Sequence, residues 1–191
     1  IRFPSRSQMH TSPSLLISTQ CTTAANTYPF PGGDSLYPAL KRHQTGIGPF
    51  GYPHWDSYYT MMIDPDIYLR ALVNDFQAAG GKLVQRSFTD EDDLFSLSER
   101  SFVNCTGLGA GKLFGDEKIM PARGQLSMLL PQPEIDYGYV TRMDNSTLYM
   151  FPRKSSIVLG GSVRLNDWNL EPEMDEVQRM VDGHANMALK V

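Results

Sequence analysis

Residues 101–125 read SFVNCTGLGAGKLFGDEKIMPARGQ, and how this stretch is read decides the fold. Phe102 and Val103 lead an apolar, β-branched run into Cys105, Thr106 and Gly107, and Gly109 and Gly111 follow at alternate positions. The pattern predicts a short buried strand ending in a turn where the backbone approaches something closely, because glycine leaves the α-carbon unobstructed. Thr106 adds a hydroxyl, and the three glycines add N–H groups with no Cβ beside them.

Two phosphate motifs are excluded by the same residues. A P-loop needs glycine five positions before Gly111 and Ser or Thr after Lys112, but Thr106 and Leu113 stand there. The dinucleotide fingerprint G-x-G-x-x-G, counted from Gly107 and Gly109, needs glycine at position 112, which is Lys112. Two readings stay open: a glycine-rich strand-to-helix turn with no ligand, or a turn that meets a phosphate, a ribose or a flavin edge.

Upstream, Asp64 and Pro65 begin a helix whose apolar residues Ile67, Leu69, Leu72, Val73 and Phe76 recur at helical spacing until Gly80-Gly81. Lys82 to Phe88 reads as a strand, and helix plus strand form half of a β-α-β unit, with the strand from Phe102 expected parallel to it. Thr89 to Ser98 carries Asp90, Glu91, Asp92 and Asp93, an acidic first turn that favours a short helix; as paired carboxylates for acid–base work they are the weaker reading. From Gln125 the texture changes to short strands, at Leu126 to Leu130, Tyr137 to Met143, Thr147 to Phe151 and Ile157 to Val163. Hairpin turns at 144–146 and 153–156 make this a mainly antiparallel sheet. Glu171 to Met187 follows as a helix packed on that sheet.

At the other end, Ile1 to Leu15 is a polar arm without period, Leu16 to Thr19 a short strand, Leu36 to Arg42 a turn or two of helix, and Thr45 to Tyr52 a loop. Tyr52, His54, Trp55, Tyr58 and Tyr59 make an aromatic run that either packs a core or interface or closes over a flat ligand. His54 has no second ligand at metal spacing, so no metal site is expected.

The 191 residues suffice for one core and a small second lobe, and the expected division is 1–125 and 126–191. A net charge of −4 with no basic cluster argues against nucleic acid and anionic membranes and for a small-molecule or protein partner. Cys21 and Cys105 are not at ligand spacing, and no apolar run approaches the roughly 18 residues a membrane helix needs, so a reduced, cytoplasmic protein is expected. The chain opens on Ile1-Arg2-Phe3 and stops at Val191 inside a helical run, which predicts a piece of a longer protein.

Asn104-Cys105-Thr106-Gly107 with Ala110-Gly111, then Pro121 and Arg123-Gly124-Gln125, resembles the central signature of the FAD-dependent D-amino acid oxidase family. Tyr149-Met150-Phe151-Pro152-Arg153-Lys154, Leu159-Gly160-Gly161 and Asp167-Trp168 resemble that family's substrate-domain strands in the same order. The Pro-Arg-Lys and Asp-Trp elements also look like the glycine and sarcosine oxidase branch.

The resemblance implies an α/β fold, with part of an FAD-binding β-α-β domain and an antiparallel substrate domain. It implies FAD contacts at Thr19, Thr22 and Ala24, with Asn26 just after a family glycine, and further ones at Phe88, Cys105, Thr106, Gly107 and Gly124. It implies a substrate-carboxylate anchor at Tyr149, three positions before Pro152, with Tyr137 and Tyr139 as further substrate contacts. A second family tyrosine is unmatched, since Asn145 stands at its place. The family's N-terminal G-x-G-x-x-G and its C-terminal arginine are not among these residues. The expected function is oxidation of an amino-acid C–N bond by hydride transfer to flavin; the alternatives are sarcosine-type amine oxidation and a non-catalytic binding module. An oligomer is compatible with all three.

Overall fold

The computed structural model describes residues 15–20, 41–43, 48–52, 54–59, 63–143 and 146–189. The polar arm before Leu15, Thr22, Ala24, the helical expectation over 36–40 and the turn residues 144 and 145 lie outside them. The chain parts into two units: residues 1–64, 124–163 and 170–191 form the first, and residues 65–123 and 164–169 the second.

The first unit is built on a seven-stranded sheet. Its strands are β1 (Leu15–Gln20), β2 (Lys41–His43), β3 (Trp55–Tyr59), β5 (Leu126–Leu129), β6 (Gly138–Met143), β7 (Ser146–Pro152) and β8 (Ile157–Gly160), in the spatial order β2-β3-β1-β6-β7-β8-β5. All neighbours are antiparallel except β1 and β6, which run parallel. Alternation along each strand sorts the side chains onto two faces. Tyr139, Met150, Leu159 and Ser127 stand opposite one another on one face, and Val140, Tyr149, Gly160 and Leu126 on the other.

Helix α4 (Met174–Ala188) covers the first of these faces with Met180, His184 and Met187, all buried. Met180 and Met187 join Phe50, Tyr52, Ile135, Tyr137, Tyr139, Leu148, Met150, Ile157 and Leu159 in the hydrophobic core. The start of α4 is fixed by Gln125, whose side chain accepts from the Glu173 N–H at 2.6 Å, while the Gln125 N–H donates to Ser162 Oγ at 2.8 Å.

The second unit holds helices α1 (Pro65–Ala78), α2 (Glu91–Phe95) and α3 (Gly109–Phe114) and a two-stranded ladder of β4 (Ala122–Arg123) with β9 (Arg164–Leu165). The expected helix from Pro65 is present, and its apolar residues Ile67, Leu72 and Phe76 are exposed. Asp90 is the N-cap of α2, accepting from the Asp93 N–H at 2.8 Å, so the acidic run serves a helix start.

Two expectations are corrected. Residues 82–88 and 102–106, expected as parallel strands, carry no ladder pairing. A parallel strand is stable only when partnered and covered on its faces, and here Val84 is 81% and Val103 90% exposed. Residues 41 and 42, expected to end a helix, form strand β2 with His43 instead, because all three pair with β3 and His43 stacks on Trp55 at 3.7 Å. Trp55–Tyr59 is itself a strand, with Ser57 buried at its centre. Among the described residues no helix is long and apolar enough to cross a membrane, and no cluster of three metal-ligating side chains occurs.

Candidate functional site

The three tyrosines singled out from sequence do not share a surface. Tyr137 and Tyr139 lie on the helix-covered face of β6 and its approach, 1% and 0% exposed. The Tyr139 hydroxyl is 2.5 Å from Nδ1 of His184, and Nε2 of His184 is 3.2 Å from the Gly160 carbonyl oxygen. A carbonyl can only accept, so Nε2 carries the hydrogen, Nδ1 accepts, and Tyr139 donates. Burial drives the His184 pKa down to about 4 and pushes the Tyr139 phenol well above its ordinary value, so the pair is neutral across the physiological range. Burial, then the neighbouring Asp136 carboxylate, raises the Tyr137 phenol in the same sense.

Tyr149 is on the opposite face. Its ring stacks on Phe151 at 5.3 Å and lies across Gly160, where an added Cβ would stand 2.0 Å from the ring. Its hydroxyl makes no hydrogen bond to any described residue. Leu126 and Met128 on the same face are 49% and 55% exposed, so Tyr149 offers an uncommitted O–H on an open, apolar sheet surface. The division follows from the register of the two strands: Met143 stands opposite Ser146, which puts Val140, not Tyr139, opposite Tyr149. His184 was missed, yet its spacing from Met180 and Met187 places it on the buried stripe of α4.

The glycine turn at residues 105–111 belongs to the second unit. Asn104 Oδ1 accepts from the Thr106 N–H at 3.1 Å and from its hydroxyl at 2.7 Å, and Gly107 takes a positive φ of 57° with open space where a Cβ would be. Two of the three glycine N–H groups are already used: Gly109 donates to the Thr106 carbonyl at 3.0 Å and Gly111 to that of Leu108 at 3.3 Å. Gly111 serves packing, since a Cβ there would stand 3.1 Å from the Asp116 carbonyl oxygen. The N–H groups of Gly107 and Leu108 make no hydrogen bond within the described residues, and Cys105 is an exposed free thiol. Phe88, also in this unit, lies 5.0 Å beneath the Arg86 guanidinium, which Asp93 holds at 2.8 Å.

The remaining candidates belong to the first unit. Thr19 sits in β1, paired with Trp55 and Thr141. A Cβ on Gly124 would approach the Ser162 carbonyl oxygen to 3.0 Å, so close packing alone requires glycine there. Arg123 of the same motif, in the second unit, ion-pairs with Asp167 at 2.9 Å. The Asn169 N–H, and then Arg123, hold the Asp167 carboxyl below the usual carboxylate range. Phe88, Cys105, Thr106 and Gly107 thus come from one unit, and Tyr149, Tyr137, Tyr139, Thr19 and Gly124 from the other.

Residues 36–187 match the model of a family described as DAO, FAD dependent oxidoreductase. The chain belongs to that family. Among curated relatives, this family member is 32% identical over 120 residues to a D-amino-acid oxidase of Dictyostelium discoideum, covering 63% of this chain and 34% of the relative. It is 30% identical over 132 residues to human D-aspartate oxidase, covering 68% and 37%, and 34% identical over 122 residues to a D-amino-acid oxidase of Streptomyces coelicolor, covering 63% and 37%. The chain therefore spans about a third of the length of these relatives. FAD is the cofactor of the family. The donor set at residues 105–108 fits one polar edge of such a group: two adjacent uncommitted N–H groups, no Cβ above Gly107, and a hydroxyl oxygen at Thr106 that still has lone pairs to offer.

Proposed function

We propose that the protein of which these residues form part oxidises the C–N bond of an amino acid in the manner of a D-amino-acid oxidase, with FAD as hydride acceptor. The observation that carries this reading is the uncommitted hydroxyl of Tyr149 on the open sheet face, in a chain of the FAD dependent oxidoreductase family. FAD, when bound, supplies the electron sink; the protein supplies binding and orientation. The Tyr149 hydroxyl donates to the substrate carboxylate and fixes one end of the amino acid, while the apolar floor of Phe151, Val140 and Met128 excludes water from that contact. The sequence half 1–125 serves the cofactor through Phe88, Cys105, Thr106 and Gly107 of the second unit, with Thr19, Thr22, Ala24 and Gly124 as further contacts. The half 126–191 serves the substrate.

Tyr137 and Tyr139 contribute as core, since Tyr139 spends its hydroxyl on His184. A cytoplasmic location belongs to the same reading, supported by the exposed free thiol of Cys105.

Steady-state kinetics of the FAD-loaded full-length protein test this directly. D-amino acids are expected to be turned over and N-methylglycines not, and Tyr149→Phe is expected to raise KM about tenfold for the loss of one charge-assisted hydrogen bond, with a smaller change in kcat. Preference for N-methylglycines would move the assignment to the sarcosine branch, and an unchanged KM would remove Tyr149 from the substrate site.

A further inference from the structure

Helix α4 and Tyr149 are on opposite faces of the sheet, yet two side chains of the helix reach the strand end on which Tyr149 rests. Nε2 of His184 donates to the Gly160 carbonyl at 3.2 Å, and the Arg179 guanidinium donates to the Gly161 carbonyl at 3.1 Å. Gly160 is directly opposite Tyr149 in the ladder, and the phenol lies on its α-carbon, so closely that a Cβ would be 2.0 Å from Cζ and 2.3 Å from the hydroxyl oxygen. Peptide planes are rigid, so the His184 bond fixes the plane that leaves the Gly160 α-carbon, and the Arg179 bond fixes the next plane along, which limits how the first can turn. That α-carbon is the floor under the phenol.

We propose that Arg179 and His184 are positioning residues for Tyr149: from behind the sheet they set the Gly160–Gly161 backbone that determines where the Tyr149 hydroxyl points. The consequence for substrate rests on the reading of Tyr149 as the carboxylate contact; the positioning itself does not. His184 is the more informative handle because its two nitrogens do different work. His184→Gln retains an amide donor near the place of Nε2, and with it the hold on Gly160, but loses the acceptor for Tyr139. His184→Asn retains an acceptor near the place of Nδ1 and cannot reach Gly160. A role confined to core stability predicts that both variants behave alike.

The test is fluorine NMR of the 191-residue chain labelled with fluorotyrosine, the Tyr149 resonance being assigned by its loss in Tyr149→Phe. Gly160→Ala, whose methyl group must displace the ring, calibrates the shift that a moved phenol produces. The Tyr149 resonance is expected to move in His184→Asn and in Arg179→Met toward its position in Gly160→Ala, and to stay at the wild-type position in His184→Gln. A resonance unmoved in His184→Asn, or moved equally by Asn and Gln, would overturn the proposal. The FAD-loaded full-length protein then separates the two claims. With both correct, His184→Asn raises KM for the amino acid in the same direction as the about tenfold rise of Tyr149→Phe. If the resonance moves while Tyr149→Phe leaves KM unchanged, the positioning stands and the substrate role of Tyr149 falls.

Discussion

Gly161→Ala is expected to destabilise the first unit by about 3–5 kcal/mol, a large share of the net stability of a folded domain. Gly161 has a φ of 147°, a region open in practice only to glycine, and a Cβ there would stand 2.2 Å from the Thr147 carbonyl oxygen and 2.8 Å from Leu148 Cδ2. The first of these obstacles is backbone of the neighbouring strand and cannot swing away. Backbone strain of roughly 1–3 kcal/mol adds to a comparable overpacking cost. Gly183→Ala in α4 is the contrast: its Cβ would meet only Leu148 Cδ1 at 2.9 Å, the far end of a flexible side chain, and alanine favours a helix by about 1 kcal/mol. Urea unfolding followed by circular dichroism should therefore separate the two alanine variants by several kcal/mol. Similar midpoints would mean that the strand end is not packed as described.

The second large effect is expected on acidification. His184 is buried and titrates near 4 in the folded chain against an ordinary value of 6.5, so the unfolded chain takes up a proton between these pH values and the folded one does not. Stability from neutral His184 is thus fully present above about pH 6.5 and is lost as pH falls toward 4, in total roughly 3 kcal/mol. His184→Leu should abolish that slope across this window. At pH 7 it should itself cost about 2–4 kcal/mol, because it removes the nitrogen that the buried Tyr139 hydroxyl meets and the donor to Gly160. In a double-mutant cycle with Tyr139→Phe, part of that loss is recovered, since the hydroxyl is then gone as well. Strictly additive losses would contradict a direct bond between the two side chains.

What sequence could and could not show follows from the range of the forces involved. The strands at Leu126–Leu129, Gly138–Met143, Ser146–Pro152 and Ile157–Gly160 were legible because alternation and turn residues are local signals. The helices from Pro65 and Met174 were legible because of their apolar spacing. The parallel pairing of β1 with β6 joins residues more than a hundred positions apart, which no local pattern reports. Trp55–Tyr59 was read by its aromatic content, and the alternation that makes it a strand, with Ser57 buried at its middle, went unused. Residues 82–88 and 102–106 have strand-like composition, yet composition cannot provide the partner strands that a ladder requires.

The glycine turn before α3 was legible as a turn, but the partition of its N–H groups depends on local hydrogen bonds: Gly109 and Gly111 spend theirs on the turn, while those of Gly107 and Leu108 meet no acceptor among the described residues. Tyr149, Tyr139 and Tyr137 looked equivalent as strand tyrosines. The register separates them, because the first lies on the open face with a hydroxyl that bonds no described residue, and the other two belong to the core beneath α4.

The central claim is that this chain carries the substrate-facing sheet of an FAD-dependent amino-acid oxidising protein. Anaerobic mixing of the FAD-loaded full-length protein with a D-amino acid, followed at the visible flavin band, tests it most directly. The account predicts rapid bleaching of that band, with a dependence on amino-acid concentration that shifts upward about tenfold in Tyr149→Phe. A flavin band that stays oxidised with every D-amino acid and N-methylglycine supplied would contradict it.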